Sequence, residues 1–338
     1  MGCAADTRRP SAERFMADTL FRIATFNLEN LDDDADEPPF EARIATLRPQ
    51  LERLEADILC LQEVDAQHPV KSEPRTLRAL TRLLEGTRYA GYHVTAGDGP
   101  SPADRHNPVI VSRWPIRAAR LLRHHLVPPA RVRLATADPV AEGETEVGWD
   151  RPVLHAEVEM PDGRILHVFD LHLRAPIAAP VPGQKAGAQT WKTASGWAEG
   201  FYLASIKRAG QALETRMAVD RLFDADPDAL IVVAGDCNAD LEQTAVRIIR
   251  AASDFTGNPD LAGRVLEPLE EAIPEERRYT VLHAGTAVLL DHLMTSPRLT
   301  ERLRDIAIHN EDLTDEVDHA DEPSPVSYHA PVVATFSL

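Results

Sequence analysis

Short runs of consecutive apolar residues alternate along the chain with longer segments in which apolar residues recur every three or four positions. The runs Phe21–Leu28, Asp57–Leu61, Pro108–Ser112, Val153–Val158, Ile165–Leu171, Leu230–Ala234, Val288–Met294 and Pro331–Phe336 have the length and composition of β-strands. Phe40–Leu54 puts Ile44, Leu47, Leu51 and Leu54 on one helical stripe, and Leu203–Phe223 and Leu241–Ile249 follow the same period. The pattern predicts an α/β chain. Ile231–Ala234 is apolar without alternation, which predicts strands covered on both faces by helices or by a second sheet. No internal repeat or break in composition divides the chain, so residues 19–338 are expected to form one domain. A polar, Arg-rich lead over residues 1–18 reads as disordered, with Met16 as an alternative start. Two segments lack either period: an acidic loop, Asp32–Glu37, and a Pro/Gly/Ala-rich loop at about 175–200 carrying Lys185, Trp191, Lys192 and Trp197. The second is expected to be either a functional lid or slack chain.

Polar residues stand where the apolar runs stop. Asn27 stands near the end of the first, with Glu29 and Asn30 just beyond it; Gln62 and Glu63 follow the second; Asp170 lies near the end of Ile165–Leu171 and His172 just past it; Asp236 and Asn238 follow Ile231–Ala234. Asp291 and His329 lie in Leu-Asp-His and Ser-Tyr-His stretches. Ligands in α/β sheets bind in the crevice outside strand ends, so these groups are expected to converge. Residues two apart on a strand share a face, which would pair Asn27 with Glu29 and Asp236 with Asn238. Asn27, Glu29 and Glu63 are hard oxygen donors suited to Mg²⁺ or Mn²⁺, and His172 and His329 can carry protons or charge near neutral pH. That set suits attack of water on a phosphate ester.

Charge narrows the picture. With 36 basic against 54 acidic residues the net charge is −18, which excludes a broad basic surface for nucleic acid and leaves room for a local cationic site. Cys3, Cys60 and Cys237 are odd in number and sit in apolar or terminal contexts, pointing to a reducing, cytoplasmic compartment. Asp6 stands where an acylation signal needs Ser or Thr, and no apolar run reaches the length of a membrane span, so no membrane association is expected; nor is a protein partner implied.

The ordered set Phe-Asn-Leu-Glu-Asn (26–30), Leu-Gln-Glu-Val (61–64), Asn-Pro-Val-Ile-Val-Ser-Arg-Trp-Pro-Ile (107–116), Asp-Leu-His-Leu (170–173), Gly-Asp-Cys-Asn (235–238), Leu-Asp-His-Leu (290–293) and Ser-Tyr-His-Ala-Pro-Val (327–332) resembles the endonuclease/exonuclease/phosphatase superfamily, with its deoxyribonuclease-I-like fold. The resemblance implies a four-layered sandwich of two mixed β-sheets flanked by helices, and Mg²⁺-dependent hydrolysis of phosphate esters. It implies Glu63 as the main metal ligand with Asn27 and Glu29 beside it, and Asp236 and Asn238 positioning water and phosphate. His329 would act as base or electrostatic stabiliser oriented by Asp291, and His172 would face the phosphate or leaving group. Two positions depart from the family pattern: Tyr328 replaces an aspartate, leaving the number of metal ions open, and Asp170 replaces a frequent asparagine. Asn107 and Arg113 match a structural stretch, and Arg208 and Gln211 read as a solvated helix face. The expected activity is nuclease-like phosphodiester hydrolysis, with DNA or RNA among the candidate substrates and Trp191 and Lys192 as a strip that stacks a base and meets phosphate. The alternatives are a phosphatase or phosphodiesterase for a small molecule or lipid headgroup, and a catalytically weakened binding protein.

Overall fold

Residues 20–34, 38–68, 70, 72–149, 151–317 and 324–338 are described in the computed structural model of the chain. The lead over residues 1–18 and the end of the acidic loop, residues 35–37, lie outside them.

Two six-stranded sheets make the frame. The first runs, edge to edge, Leu303–Ile308, Val332–Ser337, Leu20–Leu31, Ile58–Val64, Asn107–Ser112 and His93–Thr95. The second runs Glu267–Pro268, Asp291–Thr295, Leu230–Asp236, Ile165–His172, Val153–Glu159 and Ile116–Leu122. In each, the two central strands are parallel and their outer neighbours antiparallel. The carboxyl ends of Leu20–Leu31 and Ile58–Val64 therefore share one edge, as do those of Ile165–His172 and Leu230–Asp236.

Side chains alternate across each strand, and in the central strands both faces are buried. Ile58 and Cys60 point inward, into one core with Val168, Phe169 and Val232 of the other sheet. Leu59 and Leu61 point outward, against Leu47 and Leu51 of the helix Phe40–Leu54 and Leu80 and Leu83 of Arg78–Leu84. Ala212, Val219 and Phe223 of the helix Ala194–Ala225 cover the second sheet. Helix, sheet, sheet, helix is the resulting order, and the unbroken apolar runs follow from it. Cys60 and Cys237 are free and buried. Among the described residues no helix is long and apolar enough to cross a membrane.

Several local expectations are corrected. The long helix starts at Ala194 rather than Leu203, where the Thr193 hydroxyl accepts the Gly196 amide at 2.9 Å. Exposed Trp197, Phe201 and Tyr202 hide its period in the sequence. The expected loop thus ends before residue 194, and part of it is packed, with Ala179 and Val181 buried beside Leu134, Val147 and Leu203. Val288–Met294 is two strands: Thr286–Val288 closes a hairpin with Val281–His283, and Asp291–Thr295 joins the second sheet. The Thr280 hydroxyl accepts the Leu290 and Asp291 amides at 3.0 and 3.2 Å where the chain changes sheet. The helix expected at Leu241–Ile249 spans Thr244–Arg250. Edge strands Ile116–Leu122 and Leu303–Ile308 carry charged residues that break the apolar pattern.

Candidate active site

The expected pairs meet through turns, not through the pleat. Asn27 Oδ1 accepts the Glu29 amide at 2.9 Å, and Asp236 Oδ1 accepts the Asn238 amide at 2.8 Å. The strand register shifts around Glu29, Asn30 and Glu63, and Glu29, Asn30, Glu63, His106 and Asn238 have φ of 50°, 52°, 57°, 57° and 47°. Left-handed conformations in non-glycine residues cost of order 1 kcal/mol or more each and gather at functional sites. Gly235 answers a different demand. Its φ is 132°, and a Cβ there would lie 2.0 Å from the Leu171 carbonyl oxygen of the neighbouring strand. Gly235→Ala should therefore lower stability by at least about 2 kcal/mol. Urea denaturation measures this, and an unchanged midpoint would refute the close approach.

The side chains form two adjoining groups. Asp236, Asp291 and His329 lie with one ligand atom each within 4.8 Å of one another, as do Glu63, His106 and His172. Asp236 Oδ2 accepts from Asn27 Nδ2 at 3.1 Å and from Asn238 Nδ2 at 3.2 Å, and lies 3.2 Å from His172 Nε2. Burial alone would raise its carboxyl, but the His329 imidazolium and the Asn238 backbone amide hold it well below the carboxylate range. His329 Nδ1 meets Asp291 Oδ2 at 2.8 Å. Burial by itself depresses His329, yet the charge and hydrogen bond of Asp291, with Asp236 and Glu29 behind, raise it to about 10. Glu63 Oε2 accepts the Asn30 amide at 3.0 Å. Burial pushes Glu63 up as well, and the Arg151 guanidinium and the His329 imidazolium outweigh that to hold it low.

The two departures from the family pattern have clear places. Tyr328 offers its backbone amide to Glu29 Oε2 at 2.8 Å, while burial raises the Glu29 carboxyl. Asp170 is fully buried between the sheets, where burial pushes it well above the carboxylate range despite the Gln62 amide at 2.6 Å. The other carboxyl oxygen of Asp170 is buried without a hydrogen-bond partner.

Sequence reasoning missed His106 and Arg151. Arg151 donates through Nη1 to His172 Nε2 at 2.6 Å and through Nη2 to His106 Nδ1 at 2.7 Å. Burial, joined by Arg151 and His172, pushes His106 down to about 4 against the pull of Glu63, so a neutral ring accepts from Arg151 and faces Asn30 Oδ1 at 3.0 Å through Nε2. The solvated reading of Gln211 and Arg208 is also corrected. Gln211 is buried and donates to the Arg151 carbonyl at 3.0 Å, and Arg208 donates to the Asn238 carbonyl at 3.1 Å. Asn107 braces Val64, its Nδ2 donating to that carbonyl at 2.8 Å, and Arg113 pairs with Asp57 at 3.0 Å.

Trp191 and Lys192 are not brought to this cluster. Trp191 packs at Gly200, beneath Lys185 Nζ at 4.5 Å from its ring, and the Lys192 amide donates to the Gln184 carbonyl at 2.8 Å. Gly200 lies about 16 Å along the helix axis from Gln211.

A hard divalent cation fits the donor set. The Glu29 and Glu63 carboxylates are close enough for Glu63 to raise Glu29, a repulsion that a cation would relieve. One oxygen of buried Asp291 has no hydrogen-bond partner. Asn27, expected as a ligand, has its oxygen engaged by the Glu29 amide and its nitrogen turned to Asp236.

Residues 24–329 match the Endonuclease/Exonuclease/phosphatase family. Similar solved structures include a mannosyl-6-phosphatase of Bacteroides thetaiotaomicron, 17% identical, covering 93% of this chain and 98% of that one with a TM-score of 0.56. Another is a humanized D. rerio TDP2, 16% identical, covering 94% and 99% with a TM-score of 0.53. A truncated Caenorhabditis elegans TDP2 is 14% identical, covering 94% and 98% with a TM-score of 0.53. Identities this low show a shared fold. No curated protein resembles the chain closely enough in sequence to count as a match.

Proposed function

Because the chain belongs to the Endonuclease/Exonuclease/phosphatase family, we propose that it hydrolyses a phosphate ester with the help of a bound divalent cation, Mg²⁺ or Mn²⁺. The observation that carries this reading is the meeting of the His329–Asp291 pair with the buried, ionised Asp236. Glu63 and Glu29 would hold the cation, with Asn27 orienting Asp236 beside it. When bound, the cation supplies charge to polarise a phosphoryl oxygen and to make water a better nucleophile.

The protein's own groups do the rest. Asp236, as an anion, orients the attacking water by accepting a hydrogen bond from it, and Asn238, fixed by its bonds to Asp236 and to the Leu173 carbonyl at 3.0 Å, aligns the phosphate. His329 is an imidazolium at neutral pH, so it acts as a charged donor to a phosphoryl oxygen and not as a base. His172 faces the leaving-group side, held by Arg151. The binding-protein alternative is disfavoured, since strained backbone at Glu29, Glu63 and Asn238 is an expense that a retired site need not keep. A cytoplasmic location, read from the cysteines, is part of this proposal.

The test is turnover of p-nitrophenyl phosphate, bis(p-nitrophenyl) phosphate and supercoiled plasmid with Mg²⁺, Mn²⁺ or EDTA. Metal-dependent cleavage of at least one, lost in EDTA and regained on adding metal, is the expected result. No turnover of any, with either metal, would favour the binding protein.

A further inference from the structure

A cleft of about 670 Å³ opens from the His106 and Arg151 side of the site. Arg105, Arg123, Arg151, Arg174, His106 and His125 line it, with no carboxylate among the described lining residues. In a chain whose acids outnumber its bases 54 to 36, a volume walled by four arginines is a local reversal of charge. Low-dielectric walls of one sign focus their field on the space between them.

The walls are built, not draped. Buried Glu214 on the long helix accepts the backbone amides of His125, Leu126 and Val127 at 2.9, 3.0 and 2.8 Å, tying the loop that carries Arg123 to the scaffold. The Arg123 amide also donates to His125 Nδ1 at 3.0 Å. Opposite, Gln211 Oε1 accepts the Arg174 amide at 2.8 Å. Arg174 Nε is buried without a hydrogen-bond partner, a cost that an anion in the cleft could offset. Arg151 belongs to both spaces, reaching His172 with one end of its fork while lining the cleft.

Resting on the phosphoesterase reading above, we propose that this cleft is a second anion subsite, and that the substrate is a compact molecule carrying another phosphate beside the scissile one. Guanidinium forks match phosphate oxygens in pairs, which favours phosphate over a diffuse charge. The volume is that of a small-ligand pocket, whereas a long polynucleotide needs an extended basic track that a net charge of −18 opposes.

Calorimetric binding in EDTA tests the subsite apart from catalysis, with two ligand pairs: glucose 1,6-bisphosphate against glucose 6-phosphate, and propane-1,3-diol bisphosphate against its monophosphate. The wild-type chain should bind at least one bisphosphate about tenfold more tightly than its monophosphate, and Arg123→Gln and Arg105→Gln should each shrink that ratio about threefold or more. Equal binding within both pairs, or ratios untouched in both correctly folded variants, overturns the subsite while leaving the esterase reading standing. Conversely, a preserved binding ratio with no metal-dependent hydrolysis of any ester overturns the esterase reading and, with it, the substrate assignment. Plasmid cleaved with higher kcat/KM than either bisphosphate, with the same arginine dependence, overturns the compact substrate in favour of nucleic acid.

Discussion

Glu63→Gln is expected to lower kcat/KM for metal-dependent hydrolysis by about 10³-fold, a loss of about 4 kcal/mol of transition-state stabilisation. Glu63 ends a central strand in a left-handed conformation, and its carboxylate faces His172 Nε2 at 3.7 Å with His106 in the same group. Glutamine keeps the size of the side chain and an oxygen for the Asn30 amide, so the change removes charge with little loss of packing. The charge is what a cation requires. Saturating Mn²⁺ should rescue little of the loss, and thermal unfolding should stay within a few degrees of wild type. Steady-state kinetics with both metals decides the matter: a variant that keeps a tenth of wild-type activity would remove Glu63 from the centre of the mechanism.

Asp291→Asn should cost about 10²- to 10³-fold in kcat and move the alkaline limb of the pH–rate profile to lower pH. In the wild-type chain His329 titrates at about 10, because Asp291 outweighs the burial that would otherwise depress it. On the proposed mechanism the imidazolium is the working form, so activity should hold through neutral pH and fall as pH rises through about 10. Without the Asp291 charge, burial regains its influence, and the limb descends toward or below the ordinary histidine value of about 6.5. Stability follows the same sign. A folded-state pKa above the unfolded one contributes stability that is fully present below about 6.5 and is lost as pH climbs to about 10. Coincident alkaline limbs in the two proteins would show that His329 is not the titrating group.

The relation between chain and site is uneven, and the unevenness has a cause. Asn27, Glu63, His172 and Asp236 were legible because each stands at or just past the carboxyl end of a central strand, where an apolar run stops abruptly. His106 and Arg151 escaped the same reasoning because they precede their strands. Asn107–Ser112 runs antiparallel to Ile58–Val64, and Val153–Glu159 antiparallel to Ile165–His172, so their amino ends lie at the edge where the parallel strands finish. A search for polar residues just before strands as well as just after them would have found both. Gln211 and Arg208 escaped for another reason: the helical period shows that a face is polar, not that the polar face meets a neighbouring carbonyl.

By itself, then, the order of apolar runs determined an α/β chain whose central strands are covered on both faces, and the ordered motifs pointed to the family; that one face meets helices and the other a second sheet was decided by the fold. Tertiary structure alone decided how the acids are used. That burial raises the Asp170 carboxyl while Asp236 is held low depends on which charges stand beside each one in a dry interior. Residues as far apart in sequence as Asn27 and Asp236 become neighbours at 3.1 Å only when two sheets close on each other. The arginine cleft belongs to the same class of fact. Its four arginines are scattered from residue 105 to residue 174 among many acids, and only the turns of the antiparallel strands gather them around one space.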